Sequence, residues 1–210
     1  MASSVIHMAV ANELNKILKY DNAKLLIGSI APDISKEIGE SKLYSHFLVT
    51  KDNDIPQVDK FLEKYKDKLC DDFVMGYFIH IYTDYLWFKY FVPEFLTDTD
   101  YITKLDGTVV KCEGNMLAMY IYNDYTDLNT QLLDKYDLDC SIFYNELPKF
   151  DNIIEEIPMD KLNVIVDKVS VIIENSKVKK ELIFDINNVN KFIETCIELT
   201  LAKLKELYLI

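Results

Sequence analysis

The chain has 210 residues, half of them apolar and 12% aromatic, enough to bury a sizeable core in one larger domain rather than two small ones. Five glycines and five prolines are too few for a turn-rich all-β protein. A formal net charge of −12, with lysine as the sole basic residue type besides histidine, argues against nucleic acid and anionic membrane surfaces as partners. An enzyme of this composition acting on phosphate would lack the bidentate guanidinium fork and would need metal, lysine or backbone amides.

The chain opens "MASSVIHMAVANEL", without a basic n-region or a long apolar run, and does not read as a signal peptide. Ile6, Val10, Leu14, Ile17 and Leu18 mark one face of a first helix, capped by Ser3 or Ser4. "LLIGSIAPDIS" interrupts the pattern at Gly28 and Pro32, which predicts a loop holding Asp33. A short helix is expected over 41–49. The next, near Pro56, carries Val58, Phe61, Leu62 and Tyr65 on one side. Asp71 or Asp72 caps an aromatic helix running to about residue 90.

Residues 97–114 are the least helical, and Asp106-Gly107 reads as a turn with a short hairpin. Helical spacing resumes over 115–136, then near 139–146, 158–175 and 188–207. No run approaches the ~18–20 apolar residues of a membrane span. Cys70, Cys112, Cys140 and Cys196 are scattered without a CxxC pair and read as reduced, buried thiols. The expected molecule is a single all-α domain spanning residues 1–210, soluble and cytoplasmic.

Three histidines, His7, His46 and His80, all fall in the first 84 residues. His80 and Asp84 are one helical turn apart in "GYFIHIYTDYLW" and share a face. Such an i, i+4 pair can converge on one ion. It also arises as a surface pair or as a satisfied core histidine. His46 lies in "YSHFL", thirteen residues after Asp33 of "IAPDI". Imidazole and carboxylate ligands suit Zn²⁺, and also Mn²⁺ or Fe.

The ordered set of a first-helix His, "GSIAPD", "SHF" and "GYFIHIYTD" resembles the zinc-dependent phospholipase C family, related to the P1-type nucleases, over about residues 3–90. The matched positions are His7; Gly28, Pro32 and Asp33; His46 and Phe47; Gly76, His80 and Asp84. The resemblance implies an all-helical phospholipase C/P1 nuclease fold and a phosphoric-ester hydrolase acting on a small-molecule or lipid ester. It also implies one or two ions. Asp33, His46, His80 and Asp84 would surround one, His7 would belong to a second, and Asp84 would bridge. The backbone near the amino terminus would serve the second ion, and Asp33 would double as catalytic base.

The family's third metal draws on downstream histidines, and none follows His80 here. Asn123, Asp124 and Asp127 are the candidate substitutes, with solvated helix surface as their other reading. Tyr44, Tyr77 and Trp87 either line a cleft or pack in the core. Three alternatives stand beside the hydrolase: a relative keeping one structural metal without turnover, an HD-type phosphohydrolase, and a helical interaction domain with no metal. The HD type needs an adjacent His-Asp pair, which does not occur in the chain.

Overall fold

Ser3 opens the first helix: its Oγ accepts the Ile6 amide, and α1 runs Ser4–Leu18. Ile6, Val10 and Leu14 are buried as the spacing predicts and Leu18 packs against the core, but Ile17 is 56% exposed. The computed structural model describes residues 1–50, 55–98, 100–150 and 154–210.

The expected break at Gly28 does not occur. Helix α2 (Asn22–Ile30) runs straight through it. The glycine is there for packing, not turning: α2 lies against α6 (Asp72–Leu86) so closely that a side chain has no room. Pro32 then falls in a 3₁₀ turn, Ala31–Asp33, that leads into the short α3 (Ile34–Glu37). Asp33 is therefore in a turn between helices rather than an open loop.

The helix expected over 41–49 shrinks to one turn, α4 (Lys42–Ser45), capped by Ser41. Phe47, at φ 52°, ends it in left-handed backbone. Helix α5 (Val58–Tyr65) buries all four predicted residues. Asp71 caps α6 through the amides of Phe73 and Val74. The α-helix stops at Leu86, short of residue 90. A π turn, Trp87–Phe91, and a short α7 (Val92–Phe95) continue the same path.

Gly107, at φ 81°, makes the predicted turn between β2 (Tyr101–Thr103) and β3 (Val109–Lys111). A third strand, β1 (Leu96–Asp98), pairs antiparallel with β2, so the sheet has one strand more than the hairpin expected. Helix α8 (Met116–Lys135) follows. The stretch at 139–146 yields only a 3₁₀ turn, Cys140–Phe143. Helix α9 (Leu162–Glu174) and α10 (Ile186–Glu206) complete the fold, the latter with a reciprocal cap between Asp185 and Asn188.

One buried apolar cluster extends from Ala2 to Leu204 and draws on every long helix. Tyr77 and Trp87 belong to it, whereas Tyr44 is exposed. The cysteines are unpaired; Cys196 alone of the four is buried, and Cys70 is exposed, contrary to expectation. Among the described residues, no helix is long and apolar enough to cross a membrane.

Candidate metal centre

Four separate elements bring the five predicted residues together. His7 comes from the first turn of α1, Asp33 from the turn after α2, His46 from the end of α4, and His80 and Asp84 from α6. All five are buried, His7 and His80 completely. Burying three imidazoles and two carboxylates is costly unless each is satisfied. Among the described residues, no lysine is buried to neutralise the carboxylates.

Two groups of potential ligand atoms share His80: His7, His80 and Asp84 form one, and Asp33, His46 and His80 the other. In the second, His80 Nε2 is 3.2 Å from His46 Nε2, and His46 Nε2 is 3.5 Å from Asp33 Oδ1. Asp84 Oδ2 lies 3.7 Å from His80 Nε2 and 3.8 Å from His46 Nε2. A tetrahedral ion with bonds near 2.0–2.1 Å sets its donor atoms about 3.3 Å apart. These four separations lie at that value or up to about half an ångström above it.

The other Asp84 oxygen faces elsewhere. Oδ1 accepts the Ala2 amide at 3.0 Å and lies 3.3 Å from His7 Nε2. The carboxylate thus stands between the two groups with one oxygen toward each. The nearby backbone is already engaged: the Met1 carbonyl accepts the Tyr125 hydroxyl at 2.6 Å, and the Ser3 carbonyl accepts the His7 amide at 3.0 Å.

Surrounding groups fix the rings. His80 Nδ1 is 2.7 Å from the Ser29 carbonyl oxygen, which can only accept, so Nδ1 carries the proton and Nε2 presents a lone pair inward. Ser45 Oγ lies 2.9 Å from His46 Nδ1 and takes a hydrogen bond from Ser35 at 2.9 Å. The Tyr77 hydroxyl donates to the Ser45 carbonyl and ties that turn to α6. His7 stacks on His80 with ring centroids 3.9 Å apart.

Burial, reinforced by His7, pushes the His80 pKa down to about 3, so the ring is neutral. Burial works against ionisation of Asp33, but His46 and then His80 outweigh it and hold the carboxyl well below its usual range. Asp84 is held low in the same way, by His7 above all and against the same burial. Yet His7 Nδ1 and Nε2, Asp33 Oδ1 and Asp84 Oδ2 make no well-aligned hydrogen bond. Unpartnered buried polar atoms are rare in folded proteins. Here three residues of one cluster carry four of them.

Asp124 and Asp127 belong neither to this cluster nor to solvated surface. Asp124 is fully buried, and its oxygens accept the amides of Leu182, Ile183 and Phe184 together with the Asn123 side chain. Asp127 accepts the Lys179 amide and the Gln131 side chain. Both pin the segment before α10 onto α8, and their donors already occupy the positions a cation would take.

A cleft of about 370 Å³ opens beside the cluster, lined by Asp33, the first four residues, α3, α8 and α9. Asp33 is 8% exposed, the most of the five, and is the point at which the cluster meets the cleft. Sequence reading missed this cleft because residues 122–176 face the first 40 residues only through the tertiary fold. It also missed the Ser29 carbonyl, whose direction depends on the α2–α6 crossing. Ser45 could have been found, since it directly precedes His46. No family model, curated protein or solved structure matches this chain.

Proposed function

We propose that the chain is a metal-dependent phosphoric-ester hydrolase with His7, Asp33, His46, His80 and Asp84 as its metal-binding residues. The observation that carries this reading is a buried cluster in which Asp33 Oδ1 and Asp84 Oδ2 lack hydrogen-bond partners and stand 3.5–3.8 Å from the facing Nε2 atoms of His46 and His80. Three histidines and two carboxylates are a borderline donor set suited to Zn²⁺, Mn²⁺ or Fe²⁺. One or two ions fit, because Asp84 offers one oxygen to each ligand group. The resemblance of these same residues to the zinc-dependent phospholipase C pattern supports the reaction class.

A bound ion would supply Lewis acidity and make a coordinated water more acidic. The protein's own part falls to Asp33. Its buried Oδ1 belongs to the ligand set, and its carboxylate is the member of that set that reaches the cleft, which leaves the second oxygen for water. It would orient the attacking water and accept its proton as the oxygen bonds to phosphorus, while the ester P–O bond breaks and the leaving alcohol oxygen takes a proton from solvent. His80 stays neutral and keeps its Nε2 lone pair inward, and buried aromatic neighbours exclude bulk water from that side.

A second reading, metal binding without turnover, is favoured by one observation: Asp124 and Asp127 are committed to backbone amides and leave no third ligand set on α8. One experiment separates the two. Purified protein is assayed for bound metal, then for hydrolysis of a chromogenic phosphodiester with Zn²⁺ or Mn²⁺ added. The hydrolase reading predicts one or two ions per chain and metal-dependent turnover. Ions without turnover would support the second reading, and no stoichiometric ion would overturn both.

A further inference from the structure

The cleft above Asp33 has a distinctive pair of walls. Asp33 and Lys36, three residues apart, stand on one side. Ile165, Lys168 and Ile172, at helical spacing on α9, stand on the other. Tyr122 of α8 also lines it. The two lysines differ in their partners. Lys168 Nζ is 3.4 Å from a Glu37 carboxylate oxygen and is largely neutralised. Lys36 Nζ instead donates to the Tyr122 hydroxyl at 3.2 Å and sits 5.3 Å from that ring's centroid. Its closest partner is neutral, and Glu37 and Asp33 of the same cleft act on it only at longer range, so its charge is held in the cleft without a close carboxylate contact.

We propose that Lys36 is a substrate-binding residue for the non-bridging oxygens of a small phosphorylated substrate, with Tyr122 presenting the ammonium across the cleft. Three arguments lead there. An ammonium one helical turn from the proposed water-orienting carboxylate is placed to hold a phosphoryl group that the water attacks. With no arginine in the chain, lysine is the cationic side chain available for this role beside the metal and backbone amides. And 370 Å³ lies at the small end of ligand pockets, so it suits a compact organic group against Ile165 and Ile172 rather than a polymer. The substrate class is thus a small phosphoester with one apolar or aromatic substituent. This rests on the hydrolase reading for the reaction, but not for the anion binding itself.

The test uses orthophosphate as probe. Binding is measured by titration calorimetry on the full chain, metal-free and Zn²⁺-loaded, for wild type, Lys36→Gln, Lys36→Arg, Lys168→Gln and Tyr122→Phe. Metal content is measured on the same samples. Lys36→Gln is expected to weaken phosphate binding about tenfold, as loss of a charge-assisted hydrogen bond does. Its metal stoichiometry and circular dichroism should not change. Lys36→Arg should retain most of the affinity, Tyr122→Phe should lose about threefold, and Lys168→Gln should stay within about twofold, since Glu37 already occupies that lysine. Equal affinity in Lys36→Gln and wild type, or no phosphate binding by wild type in either form, would overturn the proposal. If Lys36-dependent binding occurs in a protein that takes up no metal, the anion site stands and the hydrolase reading falls. If metal binds and turnover occurs with Lys36 silent, the reverse holds.

Discussion

Gly28 on α2 and Gly76 on α6 meet where no side chain fits. A Cβ added at Gly28 would lie 2.3 Å from the Phe73 carbonyl oxygen, and one at Gly76 would lie 2.2 Å from that of Leu25. Both obstacles are backbone, which cannot swing aside. Ser29 directly follows Gly28, and His80 lies one turn beyond Gly76, so this contact sets the 2.7 Å approach of the Ser29 carbonyl to His80 Nδ1. The close crossing thereby holds the ring that both ligand groups share.

Gly76→Ala should therefore destabilise the protein, although alanine is the better helix former by about 1 kcal/mol. Overpacking of this kind costs about 1–3 kcal/mol, and backbone obstacles place it at the upper end. At about 2–4 °C per kcal/mol for a chain of this size, the melting temperature should fall by several degrees. Zn²⁺ affinity should fall with it. A Gly76→Ala protein as stable as wild type would mean that the helices can part without consequence.

Acid should weaken the metal-free protein in a defined window. His80 has a pKa of about 3 in the fold, below its unfolded value near 6.5. Between these values the unfolded chain binds the extra proton, so stability rises with pH. The contribution is fully present above about 6.5 and is lost progressively as pH falls toward 3. Denaturant midpoints measured between pH 7.5 and 4.5 should fall steadily, and His80→Gln should flatten the slope. A midpoint unchanged down to pH 4.5 would show that His80 is not held neutral.

Asp124 separates architecture from chemistry. Its carboxylate accepts three consecutive backbone amides, so Asp124→Ala should cost about 3 kcal/mol or more through stranded buried donors. Asp124→Asn, which keeps one acceptor oxygen, should cost less. Neither should change metal stoichiometry in the folded fraction. Loss of an ion in Asp124→Asn would instead make α8 part of the metal centre.

The helical class, the α1 face, the Asp71 cap and the Asp106-Gly107 turn were all readable because each depends on local spacing or capping. The misreadings arose where tertiary contact overrode a local signal. Gly28 looked like a helix breaker and is a packing glycine. Asp124 looked like surface or ligand and is a buried hub, because its partners lie 58–60 residues away. Likewise, the five site residues were legible by residue type and order, while their convergence depends on four elements that no spacing rule links. Lys36 and the cleft were not legible, since α9 meets α3 only in the folded chain.

The most direct measurement of the central claim is metal stoichiometry and thermal shift in wild type and His80→Ala, side by side. A ligand that binds only the folded state stabilises it by about 2.7 kcal/mol at one hundred times its dissociation constant. Wild type should take up one or two Zn²⁺ per chain and melt several degrees higher when it is added. His80→Ala removes the donor common to both ligand groups, and should melt lower, bind no stoichiometric Zn²⁺ and show no such rise. A His80→Ala protein that keeps both its ions and its thermal shift would contradict the account and make His80 a core histidine.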